Sequence, residues 1–195
     1  MIEYDAIVLA GGRGSRLGGT RKPDLTMAGR RLVEIALAAV AGARRRVVVG
    51  DVAVPEGVLL TREDPPFGGP VEAVEAGLAQ VGDHAPWTVL LAGDLPGAEA
   101  AVARLLAAVS DCDEDGVCLL DSDGRLQWLL GCYRTAALQH RLADRGDPPL
   151  TAMHRLLGPL RLRGVARGDA VVDDVDTAAD AARWGIAVPP TEADR

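Results

Sequence analysis

The sequence predicts an α/β protein with a single Rossmann-like, three-layer αβα domain built on a mostly parallel, mixed sheet. First, short apolar runs typical of buried strands alternate with stretches of helical periodicity along the whole chain. Second, two of these strands, 4–10 and 87–92, end in glycine followed by charged residues, as strands do at the ligand-binding edge of a parallel sheet. Third, the Asp121-Ser122-Asp123-Gly124 turn joins two late strands into a hairpin, which adds an antiparallel strand.

The individual elements follow from periodicity and from the residues that end them. Gly42 ends the first helix, Pro70 lies in the first turn of the second, and the stretch 146–149 separates the fourth from the fifth. The predicted strands are 4–10, 47–49, 58–60, 87–92, 117–120, 126–130 and 160–163. The predicted helices are 32–41, 70–81, 97–109, 135–143, 150–157 and 178–184.

Composition excludes several classes of function. The chain has 195 residues and a formal charge of −7, with no extended basic face, so we expect no nucleic acid partner. No apolar run approaches the ~20 residues that span a bilayer, and the first residues lead directly into a strand, so we expect no membrane partner, no signal peptide and a cytoplasmic protein. We expect one domain over 1–188, a polar tail over 189–195, and a monomer or a weak homo-oligomer.

The loop after the first strand is the strongest functional feature of the sequence. Between Gly11 and Lys22 it holds five glycines and four cations. Glycine lets a ligand approach backbone N–H groups closely, and arginine and lysine attract anions, so the loop is predicted to hold a nucleoside triphosphate. It is not a P-loop, because Lys22 is followed by Pro23 and no Gly-Lys pair is present. The alternative is a flexible connection with solvated cations.

Asp94 is the second candidate for a functional residue. The apolar run 87–92 stops at Gly93-Asp94-Leu95-Pro96, which places one carboxylate at the carboxyl end of a central parallel strand, where ligands of open α/β sheets bind. The alternative is an N-cap for the helix that follows, since aspartate is a favourable cap.

Four segments together resemble one enzyme family. Leu9-Ala10-Gly11-Gly12, Gly14-Ser15-Arg16-Leu17-Gly18, Lys22-Pro23 and Gly29-Arg30-Arg31-Leu32 resemble the signature of nucleotidyltransferases that activate a phosphate compound with a nucleoside triphosphate. Within this group the chain is most similar to the MobA-like molybdenum cofactor guanylyltransferases. The resemblance implies a fold of the nucleotide-diphospho-sugar transferase type. It covers essentially the whole chain, and its closing motif is Asp174-Val175-Asp176-Thr177 followed by Asp180 and Ala182-Arg183-Trp184.

The resemblance also implies which residues form the site. Lys22, Arg16 and Asp94 are predicted to be catalytic, with Asp94 binding magnesium and Asp176 as a second metal ligand or a helix cap. The nucleotide-binding residues are predicted to be Leu9, Ala10, Gly11, Gly12, Gly14, Ser15, Arg16, Lys22, Asp64, Gly69, Pro70 and Asp94. Glu72-Ala73 and Trp128 depart from the family pattern in the base and acceptor segments.

The implied reaction transfers GMP from GTP to the terminal phosphate of a molybdopterin-type acceptor, with Mg²⁺ as cofactor. The nucleophile is a phosphate, which is already ionised near neutral pH, so no general base is required. The segment around Gln127 and the helix after Pro149 are the predicted acceptor wall. The alternatives are a cytidylyl- or guanylyltransferase for a cytidylylated pterin, a sugar phosphate or a polyol phosphate, and a nucleotide-binding regulator without turnover.

Overall fold

The computed structural model describes residues 2–11, 16–17, 20–144, 146, 151–168, 175 and 177–188. The strands are β1 (Tyr4–Ala10), β2 (Arg16–Leu17), β3 (Thr20–Arg21), β4 (Thr26–Met27), β5 (Arg30–Arg31), β6 (Arg46–Gly50), β7 (Leu59–Thr61), β8 (Trp87–Ala92), β9 (Gly116–Leu120), β10 (Leu126–Arg134), β11 (Leu162–Ala166) and β12 (Ile186–Ala187). The α-helices are α1 (Leu32–Ala39), α2 (Pro70–Val81), α3 (Ala98–Val109), α4 (Thr135–Ala143), α5 (Met153–Leu157) and α6 (Ala178–Arg183).

The main sheet has seven strands in the order β11-β9-β10-β8-β1-β6-β7. Strand β10 is antiparallel to both of its neighbours, whereas all other neighbouring strands run parallel. The predicted α/β class, with a mostly parallel mixed sheet and one antiparallel strand, is therefore confirmed.

Helices cover both faces of this sheet. Alternation along β1 sends Ala6 and Val8 to one face and Ile7 to the other, as the two-residue period of a strand requires. The first face packs against α1, α3 and α6, and the second packs against α2, α4 and α5. A strand buried on both faces needs apolar side chains on both, which explains the nearly continuous apolar runs in the sequence.

Several predicted boundaries are wrong. Helix α1 ends at Ala39 because Val40 leaves the helical region (φ −106°, ψ 24°). Helix α5 begins at Met153 and not at residue 150, because Ala152 is extended. Strand β11 begins at Leu162 because the backbone N–H of Arg161 is bonded to the Asp115 side chain (2.9 Å) before strand pairing starts.

Further elements differ from their predicted bounds by one to four residues. Strand β10 continues past residue 130 because its second half pairs with β8 up to Arg134. Strand β7 is shifted to Leu59–Thr61, where it pairs with β6. Helix α3 begins one residue later than predicted, after Gly97 as its N-cap, and α6 ends at Arg183, one residue earlier.

The segment between β1 and α1 contains short elements that the sequence did not predict. Strands β2 and β3 form a hairpin, Lys22–Asp24 form a 3-10 turn, and β4 and β5 form a second hairpin. Far along the chain, β12 pairs with β4, Ile186 opposite Met27, to complete a three-stranded sheet. The segment 177–188 is thereby anchored against the segment that follows Lys22.

The helices in the described part of the chain are too short or too polar to cross a membrane.

Candidate functional site

The carboxyl ends of β1, β6 and β8 meet closely at one edge of the sheet. The N–H of Gly93 donates to the carbonyl of Leu9 (2.8 Å). A Cβ atom on Gly50 would lie 2.6 Å from the carbonyl group of Ala10, closer than such contacts allow, and Gly50 also has a φ of +154°. Glycine is therefore required at position 50, where the ends of β1 and β6 approach each other.

Asp94 lies at this edge, directly after Gly93. Strand β8 pairs with β1 up to Leu9 and Ala92, so Asp94 is beside the start of the glycine loop at Ala10 and Gly11. The N-cap residue of helix α3 is Gly97, three positions after Asp94. The alternative role of Asp94 as the N-cap of this helix is therefore not supported.

Lys22 is the only lysine in the chain, whose other twenty cationic residues are arginines. It begins the 3-10 turn and is 8% exposed. Its neighbour Arg21 forms an ion pair with Asp51 (2.9 Å), which directly follows the last residue of β6. This contact places residues 20–31, which we call the Lys22 segment, over the same edge of the sheet as Gly11 and Asp94.

A network of ion pairs fixes the backbone on both sides of Lys22. Asp24 accepts hydrogen bonds from Arg21 (3.0 Å) and from Arg31 (3.3 Å). Arg31 also donates to Glu34 (2.8 Å) and to the carbonyl of Ala53 (3.0 Å). Because Asp24 and Arg31 are each largely shielded from solvent, these contacts are better ordered than isolated surface pairs.

The N-terminus of α2 lies at the same edge, because α2 follows β7, which runs parallel to β6. Gly69 is its N-cap with a φ of +116°, and Pro70 occupies the first turn, as predicted. Among the described residues, the Oε2 atom of Glu72 is buried and has no hydrogen-bond partner. That atom lies 3.4 Å from the point where a Cβ on Gly69 would stand.

The turn before α2 places Asp64 in solvent and buries its neighbour. Asp64 is exposed, whereas Glu63 is 7% exposed and accepts the backbone N–H of Phe67 (3.1 Å). Phe67 itself has a positive φ of 65°. Glu63 therefore holds the shape of the turn, and Asp64 extends from its surface.

A cavity of about 240 Å³ adjoins Asp94. Two of its lining residues, Ala92 and Leu95, flank the Gly93-Asp94 pair, and Met153 lines it from α5. The remaining wall consists of the β10 residues Gln127, Trp128, Leu129 and Leu130. Apart from the amide of Gln127, these side chains are apolar or aromatic. Those of β10 and Met153 come from the two segments in which the acceptor wall was predicted, whereas Ala92 and Leu95 do not.

Some predicted site residues fall outside the described part of the chain. These are Gly12, Gly14, Ser15, the side chain of Arg16 and Asp176. At the last helix, the cap is Thr177: its hydroxyl accepts the N–H of Asp180 (3.1 Å), whose carboxylate accepts the N–H of Thr177 (2.8 Å). Thr177 and Asp180 thus form a reciprocal capping box at the start of α6.

The contact between Arg21 and Asp51 was not predicted from the sequence, although a signal was present. Gly50-Asp51 follows the apolar strand 47–49 in the same way that Gly93-Asp94 follows the strand 87–92. The repeated pattern of strand, glycine and aspartate marks the ends of β6 and β8, the two strands that flank β1. The buried oxygen of Glu72 was not predicted either, because burial of a single atom depends on tertiary contacts.

Comparison with known proteins agrees with this geometry. The family model for the MobA-like NTP transferase domain matches residues 6–163. No curated protein matches the chain. Among solved structures, molybdopterin-guanine dinucleotide biosynthesis protein A from Archaeoglobus fulgidus is 17% identical, with a TM-score of 0.68 over 92% of this chain and 96% of that one.

Two further proteins have the same fold. Rv0371c from Mycobacterium tuberculosis is 22% identical, with a TM-score of 0.69 over 93% of this chain and 97% of that one. A structure of Rv0371c in complex with manganese also has a TM-score of 0.69. The 2-C-methyl-D-erythritol 4-phosphate cytidylyltransferase from Thermus thermophilus is 17% identical, with a TM-score of 0.63 over 94% of this chain and 97% of that one.

The match to the family model spans most of the chain and includes β1, the Lys22 segment, Asp94 and the cavity wall up to β11. At these identities the solved structures establish a shared fold. The family, however, is established by the model match, and its members are nucleotidyltransferases, which use a nucleoside triphosphate and a phosphate-bearing acceptor. The chain is a member of the MobA-like NTP transferase domain family.

Proposed function

We propose that the protein transfers GMP from GTP to the terminal phosphate of a molybdenum-bound pterin cofactor and releases pyrophosphate, forming a guanine dinucleotide cofactor. The observation that carries the proposal is the apolar cavity beside Asp94, at the edge where the glycine loop begins. Such a crevice holds the triphosphate and the acceptor next to each other.

The chemistry that we assign to this edge is positioning and neutralisation of charge. The acceptor phosphate attacks the α-phosphate of GTP, the new P–O bond forms, and the bond to pyrophosphate breaks. Backbone N–H groups of the glycine loop and Arg16 would hold the β- and γ-phosphates. Lys22 would contact the α-phosphate, where charge develops in the transition state.

The residues present are compatible with magnesium at Asp94. Among the described residues, no group of three or more His, Cys, Asp or Glu side chains forms a closed metal site. Magnesium usually takes one or two carboxylates and completes its shell with phosphate oxygens and water, so one aspartate at a triphosphate site suits it. When bound, the ion would neutralise charge on the triphosphate; the manganese complex of the mycobacterial neighbour supports a divalent ion.

The cavity lining favours a ring-bearing acceptor over a polyol or sugar phosphate. The apolar surface of the cavity comes from Trp128, Leu129 and Met153. The amide of Gln127 is the polar group among the lining side chains. Hydroxyl groups of a polyol would lose their hydrogen bonds to water against such walls, which is costly. A flat pterin has apolar faces and places its polar atoms at its edge. The archaeal neighbour is a molybdopterin-guanine dinucleotide biosynthesis protein, which supports the same acceptor class.

The proposal is tested with the purified chain, magnesium and a panel of GTP, CTP, UTP and ATP. GTP at ~100 times its dissociation constant should raise the free energy of unfolding by about 2.7 kcal/mol, more than the other nucleotides at the same concentration. Pyrophosphate release should then require the pterin phosphate. Greater stabilisation by CTP or UTP would refute the guanine assignment, and release with a polyol phosphate instead would refute the acceptor. Stabilisation by GTP without release in any mixture would indicate a regulator.

A matched pair of variants tests the metal ligand. Asp94→Asn is compared with Asp113→Asn, the same chemical change at an exposed position before β9. We expect Asp94→Asn to abolish magnesium-dependent release of pyrophosphate, because the amide loses the charge that holds the ion, and Asp113→Asn to retain it. If Asp94→Asn retains full magnesium-dependent activity, the ion is bound elsewhere, and Asp176 is the next candidate.

A further inference from the structure

Strand β10 contains an arch that forms most of the cavity wall. Leu126 pairs with Leu120 of β9, and the next pair along the ladder is Gly131 with Cys118. Four residues of β10, Gln127 to Leu130, therefore stand opposite a single residue of β9. A bulge of this size leaves the strand without regular backbone partners on that side, so its carbonyl groups need others.

Two buried side chains supply those partners. The hydroxyl of Tyr133 donates to the carbonyl of Trp128 (2.8 Å), and the thiol of Cys118 donates to the carbonyl of Gln127 (3.0 Å). Burial raises the pKa of Tyr133 well above its ordinary value and that of Cys118 to about 12. Both groups therefore keep their protons at neutral pH and remain donors.

Two glycines make room for the Tyr133 ring. A Cβ on Gly131 would lie within 2.7 Å of several ring and hydroxyl atoms of Tyr133, and a Cβ on Gly116 would lie 3.0 Å from the ring. Tyr133 is completely buried. Its ring can occupy this place only because both strands carry glycine beside it, so the orientation of the hydroxyl is fixed by packing.

We propose that Tyr133 is a positioning residue for the acceptor, because its hydroxyl fixes the arch that shapes the cavity beside Asp94. The inference rests on the proposed function, in which that cavity takes the pterin phosphate. Tyr133 itself does not line the cavity; it acts through Trp128 and the rest of the arch. A loosened arch should weaken acceptor binding and leave the triphosphate site, which is built from β1, β8 and the Lys22 segment, unchanged.

The test compares Tyr133→Phe with Tyr4→Phe. These are the two tyrosines of the chain, both buried, and Tyr4 lies at the amino end of β1, away from the strand ends that form the site. We expect Tyr133→Phe to raise KM for the pterin phosphate about tenfold, with kcat at saturating acceptor and KM for GTP within about twofold of wild type. Hydrogen exchange of the amides of residues 127–130, measured by mass spectrometry, should accelerate in Tyr133→Phe and not in Tyr4→Phe.

Each outcome decides one part of the inference. Unchanged exchange in Tyr133→Phe would mean that the hydroxyl does not hold the arch. Faster exchange with an unchanged KM for the acceptor would mean that the arch does not position the acceptor; both results overturn the inference and leave the proposed function intact. If the wild-type chain transfers nucleotide to no pterin phosphate, the proposed function fails. The acceptor role of Tyr133 then fails with it, while the exchange measurement still tests its hold on the arch.

Discussion

At the scale of single residues, Lys22 differs from every other cation in the chain. It is the only lysine, it is 8% exposed, and the arginines at positions 21 and 31 are engaged with Asp24 and Asp51. An ammonium group is a compact point charge on a flexible stem, whereas guanidinium is a planar fork, so the two are not equivalent at a reacting phosphate. A lysine at this position is consistent with contact to the phosphate that changes its bonding.

We therefore predict that Lys22→Ala lowers kcat by about 100- to 1,000-fold and weakens GTP binding by less than about tenfold, because the charge that it neutralises is greatest in the transition state. Single-turnover kinetics and calorimetric titration with GTP measure the two quantities separately. Lys22→Arg should recover binding but only part of kcat. Arg125→Ala, which removes an exposed cation from the turn between β9 and β10, is the control. A loss of GTP affinity with kcat unchanged would mean that the contact is made equally with the bound triphosphate and with the transition state.

Glu72 is the second residue with an unusual environment. A buried carboxylate oxygen without a partner is unfavourable in the free protein, so a ligand that supplies a donor gains by binding there. Guanine presents such donors at N1–H and at its 2-amino group, and a carboxylate only accepts. Under the proposed function, Glu72 would accept hydrogen bonds from the guanine edge.

Glu72→Gln should then leave the melting temperature of the free protein unchanged or raised, and should lower affinity for GTP about tenfold or more. Affinity for ITP, which lacks the 2-amino group, should fall less. Calorimetry with both nucleotides measures the ratio, and Glu75→Gln, one turn further along α2, is the matched control. If Glu72→Gln leaves the preference for GTP over ITP unchanged, Glu72 does not contact the base.

At the scale of elements, the long periodic segments were predictable and the irregular ones were not. Helices α2 and α4 have the predicted bounds because their apolar spacing and end residues act locally. The arch in β10 was not predicted, since 126–130 has the pattern of an ordinary strand and its partners, Tyr133 and Cys118, are brought there by the tertiary fold. Strands β2 to β5 and β12 have two residues each, which is too short for any periodicity.

The pairing of β11 with β9 leads to a prediction about pH. The guanidinium of Arg163 donates to the carboxylate of Glu114 (2.8 Å), and this contact, with a smaller one from Cys112, lowers the pKa of Glu114 from 4.5 to about 2. The Glu114 carboxylate therefore binds a proton less readily in the folded protein than in the unfolded chain. The stabilisation from Glu114 is complete above pH 4.5 and is lost as the pH falls towards 2.

The difference in melting temperature between wild type and Glu114→Gln should therefore be constant from neutral pH down to about 5 and should shrink below that. Thermal melts across this range measure it. Glu56→Gln, at an exposed carboxylate before β7, is the control and should show a smaller pH-dependent difference. A difference that persists unchanged to about pH 3 would mean that the ion pair between Glu114 and Arg163 does not form in solution.

At the scale of the whole molecule, the sequence predicted which parts of the site share one edge of the sheet. Gly11 and Asp94 follow strands whose carboxyl ends must coincide in a parallel sheet, and Gly69 begins the helix after a third such strand. What it could not predict is how the Lys22 segment reaches this edge. That depends on the ion pair of Arg21 with Asp51 and on the pairing of β12 with β4, both of which join distant parts of the chain.

We predict that ending the chain after Gly185 lowers both stability and the response to GTP. The free energy of unfolding should fall by about 2–4 kcal/mol, because Ile186 is buried in the core, and the rise in melting temperature with GTP should shrink because β4 loses its partner. Ending the chain after Val188 retains β12 and is the control. Should both truncations respond to GTP like the full chain, β12 does not support the Lys22 segment.

The pairing of β12 with β4 also has a consequence for synthesis. Two strands far apart in sequence can meet only when the ribosome has released the chain between them, and contacts of such long sequence separation form late in folding. Strands β1, β6 and β8 can assemble around their core while later segments are still being translated. The segment beside Lys22 obtains its third strand only after 186–187 has emerged, so a nascent chain would acquire its fold before it acquires the completed support for its only lysine.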